Sequence, residues 1–502
     1  MKLADYLTSD ATTLAGLLAS GDVTPAQLLA LARERAAQVN PQLNAVVATL
    51  DEVADERAAS SLEGPFAGVP FLVKDLAQEY AGFPTSSGSR ALAHDVADEH
   101  AVITQRFLDA GLVVFGKTNT PEFGAKGITE DSLLGTAHNP WNLAHTPGGS
   151  SGGSGAAVAA GIVPAAGAND GGGSIRIPAA CNGLVGLKLS RGYTAYGPQT
   201  GESMFGMVTQ GVVSRTVRDS AGLLDAVAGA PSRYAAYVAA RPDSFLASLD
   251  ERPRGLRIGF SSASAINPSP DPEAVAAVES TAALLAELGH EVEEVAPPHD
   301  DEALARDFLT IWFAQLHGQI SEIKKRLGAP DSAFEADSLA VAEIGRAAGV
   351  GALFGALDNV HAHTRALEDF HERYDLFLTP TLAKPPLAVG SIATAPLLQS
   401  ASRVIARLRA GKLLAATGIL DQLITENLGW VPYTQLANLT GRPAISVPMH
   451  WTAAGLPLGV QFVGPLASDG LLLRLAAQLE EARPWFARYA ELDPSLQGPV
   501  TR

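Results

Sequence analysis

The sequence has almost no cysteine, and it lacks the features of a secreted chain. Cys181 is the single cysteine among 502 residues, which excludes an intramolecular disulfide framework and a zinc site built from several cysteines. The first residues, MKLADYLTSDATTLAGLL, have no cationic segment, no continuous apolar segment and no small-residue cleavage site of the kind found in signal peptides. We therefore expect a protein of a reducing compartment, the cytoplasm.

Basic residues and long apolar runs are also scarce. The chain has 36 Lys and Arg against 53 Asp and Glu, a net charge of -17. A phosphate backbone would therefore be repelled unless a local basic patch existed, and no run of Lys or Arg forms one. The longest apolar stretch, residues 156–168, contains a proline and is too short for the ~30 Å core of a bilayer. We expect neither a nucleic-acid partner nor a membrane partner.

Strand-like and helix-like segments alternate along the chain. GVPFLVKD and LVVFGK have the apolar character of buried strands, and the stretch between them favours a helix near residues 100–110. A capping box at Thr24 marks the start of an earlier helix, which we expect to end near Asn40 and Pro41. Residues 296–370 are expected to be mostly helical. This alternation predicts an α/β fold with a largely parallel or mixed sheet.

One stretch, from Gly111 to Thr118, matches the phosphate-binding pattern G-x-x-x-x-G-K-[ST]. A phosphate loop needs exposed backbone N–H groups between its glycines and a helix after them. Residues 112–115 are instead a strand-like apolar run, and the Asn-Thr-Pro that follows favours a turn. The stretch therefore predicts a strand that ends in a loop, and a non-catalytic nucleotide-binding protein is the weaker interpretation.

A group of histidines and glutamates in one helical stretch resembles a metal site only in composition. Metal-ligand pairs on a helix lie three or four residues apart, whereas His361 and His363 are two apart and point to different faces. We expect solvated or capped side chains and no metal. The group consists of His361, His363, Glu368, His371 and Glu372.

A lysine and two serine-bearing loops have the composition of a hydrolytic site. Lys74 ends the apolar stretch GVPFLVK, where burial would lower its pKa from ~10.4 towards neutrality and let it act as a base. Ser150 lies in GGSSGGSG and Ser174 in DGGGSIRIPA; a serine hydroxyl needs a positioned base before it is a good nucleophile. Glycines just before Ser174 leave backbone N–H groups free to face an oxyanion. These glycines are Gly171, Gly172 and Gly173.

At these residues the chain resembles the amidase signature family of serine hydrolases. The family pattern GGSSGGS is followed by Asp-x-Gly-Gly-Ser-Ile-Arg-x-Pro-Ala, with the nucleophilic serine 24 positions after the first serine of the pair, as Ser174 is after Ser150. GKTNTPEF, NPWNL, FLTPT and NLTGRPAISVP are similar to further landmarks, so the likeness covers nearly the whole chain. It implies one large α/β/α domain over residues 1–502, with a central mixed sheet flanked by helices. Within it, the signature region is about 68–192, and variable, mostly helical pocket regions are about 296–370 and 390–430.

The resemblance implies a Ser-cisSer-Lys triad. Neutral Lys74 would deprotonate Ser150, which would take the proton from Ser174, and Ser174 would attack the amide carbonyl to form an acyl-enzyme. The peptide bond before Ser150 or Ser151 would be cis, and neither a cofactor nor a metal is expected. The N–H groups implied for the oxyanion hole are those of Gly171, Gly172, Gly173 and Ser174. The implied structural supports are Ser151, Asp170 and Arg176.

Two positions depart from the family pattern. Leu189 and Ser190 stand where the family usually has Pro-Thr, in the segment GLKLSRG. This change lies downstream of the triad and removes no catalytic group, although it can alter a loop near the pocket. Asn169 precedes Asp170 where Ser or Thr is commoner, and we expect no large consequence from it.

Within the family, the segments NPWNL and NDGGGSIRIPA are most similar to a bacterial branch that contains 6-aminohexanoate-cyclic-dimer hydrolases and amidases of small linear, cyclic or aryl amides. A small-molecule amide is therefore the expected partner. We expect the pocket walls near residues 311–317 and 419–433, where Trp312, Phe313 and Trp430 would favour an apolar acyl chain. A homodimer stays open, because homodimers are common among relatives.

A rival within the family is the glutaminase subunit of the tRNA-dependent amidotransferase, which uses the same triad inside a larger complex. That subunit has a segment like SLDQIGP after the signature, where this chain has GMVTQGVVSRTVRD. The rival stays open as an alternative, because a shared fold and triad do not determine the substrate.

Overall fold

A single sheet organises the computed structural model, which describes residues 1–130, 133–229, 231–240, 243–392 and 428–492 and the isolated residues 399, 403, 408, 411 and 424. Within these residues, eleven strands belong to this sheet. The strands are β1 (Val46–Thr49), β2 (Pro70–Lys74), β3 (Val113–Thr118), β4 (Ala165–Asp170), β5 (Val185–Lys188), β6 (Thr209–Ser214), β7 (Arg257–Phe260), β8 (Glu291–Glu294), β9 (Leu376–Pro380), β10 (Ala444–Trp451) and β11 (Pro457–Val463).

The strands run in both directions. Their order across the sheet is β1-β3-β2-β4-β6-β5-β10-β11-β9-β7-β8. β2 is parallel to β3 and β4, and β7 is parallel to β8 and β9. The other neighbouring pairs are antiparallel. The predicted α/β fold with a mixed central sheet is therefore confirmed.

Helices flank this sheet, and their bounds in the described residues are as follows. The first seven are α1 (Leu3–Leu7), α2 (Ala11–Ser20), α3 (Pro25–Leu43), α4 (Asp51–Ala59), α5 (Val102–Asp109), α6 (Gly152–Ala159) and α7 (Arg176–Asn182). The others are α8 (Val217–Val227), α9 (Phe245–Ser248), α10 (Pro272–Glu287), α11 (Asp301–Leu327), α12 (Ala336–His371), α13 (Gln435–Thr440) and α14 (Asp469–Ala482).

Helix α3 begins as predicted and ends later than predicted. Its Thr24 side chain accepts a hydrogen bond from the Gln27 N–H, and the Gln27 side chain caps Thr24 in return. The helix passes through Pro41 and ends at Leu43, because Asn44 adopts a left-handed conformation with φ 47°. A proline removes one N–H donor, and the last turn of α3 accommodates that loss.

The predicted helical region after residue 296 is formed by α11 and α12, which pack against each other. In the described part of the chain, α12 is the one helix long and apolar enough to span a membrane by length and composition. It is not continuous, because Gly349 has φ 76° and ψ 174°. Most of the second variable segment, residues 390–430, lies outside the described residues.

The parallel pairing of β2 and β4 brings two polar strand ends to the same edge of the sheet. Leu72 of β2 pairs with Ala166 of β4, so Lys74 at the end of β2 lies beside the end of β4, at Asn169 and Asp170. The Gly-rich stretch between them is folded and buried: it supplies α6, whose eight residues are all buried. These elements place Lys74 and the two sequence-predicted serine loops around one point.

Candidate active site

Lys74 and Ser150 are in direct contact. The Lys74 Nζ lies 2.7 Å from the Ser150 Oγ and 2.8 Å from the Asn169 Oδ1. The lysine side chain has no solvent exposure. Burial lowers the pKa of Lys74 well below its usual value, and the negative charge of Asp170 opposes this shift only in part. The arrangement therefore favours a neutral amine beside a serine hydroxyl, which is the pairing a serine needs to lose its proton.

The loop that carries Ser150 lies tightly against neighbouring backbone. The peptide bond between Gly149 and Ser150 is cis, at one of the two positions that the resemblance implied. A Cβ on Gly149 would lie 2.6 Å from the Ile128 carbonyl oxygen, so only glycine fits there. The Ser151 Oγ lies 3.4 Å from both the backbone N and O of Asn169. Ser151 thus joins this loop to the end of β4.

Ser174 is half-buried and lines the same cavity as Ser150. Its hydroxyl makes no hydrogen bond to Ser150 or to any other residue that the structure describes. Catalytic hydrogen bonds are often long before substrate binds and tighten when it does. The structure thus brings Lys74 and Ser150 into contact and places Ser174 on the cavity wall near them.

The N–H groups of the glycine loop before Ser174 have different partners. The Gly173 N–H donates to the Asp170 Oδ1 at 2.7 Å, so it is not free to face an oxyanion. The prediction that all four N–H groups form the oxyanion hole is therefore wrong for Gly173, because the Asp170 carboxylate claims that donor. The groups of Gly171, Gly172 and Ser174 stay predicted donors.

Arg176 and Asp170 form an ion pair that supports the glycine loop. Both side chains are fully buried, and two hydrogen bonds of 2.9 Å join them. Burial alone would raise the pKa of Asp170, but Arg176 lowers it far below its usual value. The ion pair that the resemblance implied is thus present. The other side-chain hydrogen bonds of Arg176 go to the Thr434 carbonyl oxygen, the Gln461 Oε1 and the Asn438 Oδ1.

Comparison with known proteins agrees with this geometry. The family model described as Amidase matches residues 27–473. The chain belongs to the amidase family. It is 36% identical over 506 aligned residues to the 6-aminohexanoate-cyclic-dimer hydrolase of Pseudomonas sp. (strain NK87), an alignment that covers 98% of this chain and 99% of that relative. Amide hydrolysis is therefore the activity class of this enzyme.

Solved structures give the same family assignment. The structure of 6-aminohexanoate cyclic dimer hydrolase complexed with substrate matches this amidase with a TM-score of 0.88 and 34% identity, covering 98% of this chain and 100% of the other. A bacterial aryl acylamidase of the amidase signature enzyme family matches with a TM-score of 0.82 and 26% identity, covering 98% of this chain and 99% of the other. The amidase signature fold is thereby confirmed.

The cavity of this amidase is largely apolar. Trp312 and Trp430 line it, as predicted, but Phe313 does not. Phe313 is buried in the core cluster under α11 and α12 instead, because adjacent helical residues point about 100° apart. Other apolar lining residues include Leu76, Ile177, Met204, Phe308 and Leu428.

Sequence reasoning missed two groups of this amidase site. Asn169 contacts Lys74 directly, although we expected no large consequence from it. The Thr434 Oγ1 donates to the Gly172 carbonyl oxygen at 2.6 Å. The sequence signal for Asn169 was its departure from the family pattern. Thr434 lies far along the chain, at the N-cap of α13, and the sequence around Thr434 contains no catalytic pattern.

The segment at Leu189 and Ser190 has a structural explanation in this amidase. Leu189 is fully buried in the main core. The Ser190 backbone N–H and Oγ both donate to the Asp469 carboxylate, at 2.7 and 2.5 Å. This departure from Pro-Thr therefore anchors α14 to the segment that follows β5 and contributes no wall to the cavity described above.

Side chains of the phosphate-loop pattern and of the histidine group are hydrogen-bonded within the fold. The Lys117 Nζ of the phosphate-loop pattern donates to the Pro84 carbonyl oxygen and the Thr85 Oγ1, both at 2.6 Å, and β3 runs through the pattern. The His363 Nε2 lies 2.9 Å from the Asp307 Oδ2. The His371 Nδ1 lies 3.0 Å from the Tyr374 carbonyl oxygen. These histidines thus face different neighbours.

Proposed function

We propose that this amidase uses a Ser-cisSer-Lys mechanism. Neutral Lys74 accepts the proton of Ser150, Ser150 accepts the proton of Ser174, and the Ser174 Oγ attacks the amide carbonyl. The observation that carries the proposal is the 2.7 Å contact between a fully buried lysine and Ser150 in a cavity that Ser174 also lines. A buried lysine with a lowered pKa is a suitable general base near neutral pH.

Collapse of the tetrahedral intermediate completes the acylation step. The C–N bond breaks, the proton held at Ser150 and Lys74 goes to the leaving amine, and the acyl group stays on the Ser174 Oγ. Water then attacks the acyl-enzyme, and Ser150 and Lys74 again act as the base, now accepting a proton from that water. The N–H groups of Gly171, Gly172 and Ser174 are the proposed oxyanion donors, an interaction typically worth about 2.7–4 kcal/mol per donor.

The proposed substrates are small linear, cyclic or aryl amides with an apolar acyl part, including 6-aminohexanoate cyclic dimer and related oligoamides. Two observations support this class. Trp312, Trp430 and Phe308 give the cavity aromatic walls, which favour apolar groups. The relatives named above include hydrolases of the cyclic dimer.

Amine release from a panel of amides tests this proposal. The panel contains short aliphatic, aryl and cyclic amides, acyl chains of increasing length, and glutamine, each assayed with the wild type and with Ser174→Ala. We expect release by the wild type, preference for apolar acyl chains and loss of release in Ser174→Ala. Equal rates for every chain length would overturn the substrate class, and release from glutamine alone would favour the glutaminase alternative.

A further inference from the structure

Asn169 makes two side-chain hydrogen bonds that fix the direction of its amide. The Nδ2 donates to the Leu76 carbonyl oxygen at 2.8 Å, and the Oδ1 accepts from the Lys74 Nζ at 2.8 Å. A backbone carbonyl can only accept, so the NH₂ group must face Leu76. The amide oxygen therefore faces Lys74, and Asn169 is almost fully buried in this position.

The orientation of Asn169 matters for how Lys74 uses its lone pair. A neutral amine has two N–H bonds and one lone pair. If one N–H points at the Asn169 Oδ1, the lone pair can turn towards the Ser150 Oγ, 2.7 Å away. An acceptor without charge also gives the protonated amine less stabilisation than a carboxylate would give it.

We propose that Asn169 is a positioning residue, which holds the Lys74 amine with its lone pair towards Ser150 and withholds an anionic partner from it. This inference rests on the proposed function, because it assigns Lys74 the part of the base. Asn169 lines the cavity beside Ser150, but the part that we assign to it acts through Lys74. The residue type at position 169 then determines both the rate at which Ser174 is activated and the pH at which activation begins.

The charged groups near Lys74 pair with other charged groups, so a neutral residue serves as the acceptor for the Lys74 amine. On β4, Asp170 is the anion that acts on Lys74, and its carboxylate already pairs with Arg176. On the other side of β2, the Lys117 Nζ of β3 lies 3.9 Å from the Asp75 Oδ1. These opposite charges are paired with each other. Within the part of the chain that the structure describes, the Lys74 amine contacts the Ser150 hydroxyl and the Asn169 amide oxygen.

The test needs no identified substrate, because phenylmethylsulfonyl fluoride modifies activated serines. The Ser174 Oγ–S bond forms, the S–F bond breaks with fluoride leaving, and the Ser174 proton passes to Ser150 and Lys74. The rate of sulfonylation is followed by intact mass from about pH 5 to 10, a range that spans the ordinary pKa of lysine and values well below it, and the label is located by peptide mapping. The wild type should give one rising limb with pH, whose midpoint reports Lys74.

Three substitutions separate the parts that we assign to Asn169. Asn169→Asp should move the midpoint up by about one to three pH units, because a carboxylate stabilises the ammonium form. The threonine and valine side chains have nearly the same shape, but only threonine has an oxygen that can accept a hydrogen bond. Asn169→Thr therefore keeps an acceptor and Asn169→Val does not. We expect Asn169→Thr to keep most of the plateau rate and Asn169→Val to lose about tenfold or more, the lower range for a lost proton-transfer contribution.

The control is Asn40→Asp, since the Asn40 Oδ1 also accepts from N–H groups and its Nδ2 also donates to a backbone carbonyl, at Val46, away from the cavity. It should keep the wild-type midpoint. An unchanged midpoint in Asn169→Asp, or equal plateau rates in the threonine and valine variants, would overturn the inference about Asn169 while the proposed function stands. Absence of Ser174 labelling in the wild type at every pH would overturn both.

Discussion

Arg176 and Asp170 face each other in a two-pronged ion pair that has no solvent contact. The distances from Nε to Oδ2 and from Nη2 to Oδ1 are both 2.9 Å. The same carboxylate accepts the N–H groups of Gly173 and Ile175, at 2.7 and 3.2 Å. The pair therefore fixes the backbone on both sides of Ser174, and stability and catalysis both depend on it.

Removing the arginine should destabilise the fold strongly. Arg176→Met leaves the Asp170 charge buried without its partner, and losses of about 3–5 kcal/mol are typical of such changes. Urea denaturation measures the loss. The matched control is Arg33→Met, which removes the pair of a half-buried arginine with the exposed Asp51 and Asp55 and should cost at most about 1 kcal/mol. Equal losses in the two variants would contradict the assigned importance of Arg176.

Thr434 should matter for rate more than for stability. Its hydroxyl donates to the Gly172 carbonyl oxygen, and that bond orients the peptide plane next to the proposed oxyanion donors. We expect Thr434→Val to lower kcat by about tenfold, less than the ~10²–10³ that follows loss of a direct donor, with little change in KM. Thr440→Val is the control, because Thr440 donates to Leu436 within α13; a similar kcat loss there would count against this prediction.

Gly124 controls the space above the contact between Lys74 and Ser150. It has φ 68°, and a Cβ there would lie 2.7 Å from the Leu76 Cδ2 and 3.0 Å from the Ser150 Oγ. Gly124→Ala should therefore displace Ser150 and reduce kcat/KM at least about tenfold, an order-of-magnitude figure for misplaced reacting groups. Gly455→Ala has the same left-handed strain at φ 81° but open space around it, so its kcat/KM should stay near wild type. Steady-state kinetics of both variants decides the point.

The free energy of unfolding should depend on pH through Lys74. Burial lowers the pKa of Lys74 in the folded state below its ordinary value of 10.5. Between those two values the unfolded chain binds more protons, so stability rises with pH there, by up to about 1.4 kcal/mol per pH unit. Lys74→Met lacks this contribution.

Urea denaturation at about pH 7, 8 and 9, all below the ordinary pKa of lysine, tests that dependence. Relative to Lys74→Met, the wild type should become steadily more stable as pH rises. A constant difference between the two proteins across this range would show that Lys74 binds its proton equally in both states. That result would be inconsistent with a neutral buried lysine.

The main elements of the fold and the family were predictable from the sequence. Apolar runs bounded by turns indicated the strands, and the joint spacing of Ser150 and Ser174 carried the family resemblance. These signals are local, or depend on a fixed separation along the chain. They can therefore be recognised without knowledge of the fold.

Other features depend on local backbone orientation or on contacts between distant segments. The hydrogen bond from Gly173 to Asp170 depends on a backbone orientation that residue types alone do not determine. Thr434 reaches Gly172 only because the end of the chain folds back over the signature region. Phe313 is turned into the core, because the phase of α11 relative to the cavity decides which of two adjacent aromatics lines the wall.

Trapping the acyl-enzyme tests the central claim most directly. The wild type and Ser174→Ala are mixed with an acyl p-nitroanilide and quenched in acid during turnover, and the proteins are examined by intact mass and peptide mapping. The mechanism predicts one added acyl group in the wild type, located on Ser174, and none in Ser174→Ala. Nitroaniline release by Ser174→Ala at the wild-type rate, or an acyl group on another residue, would contradict it.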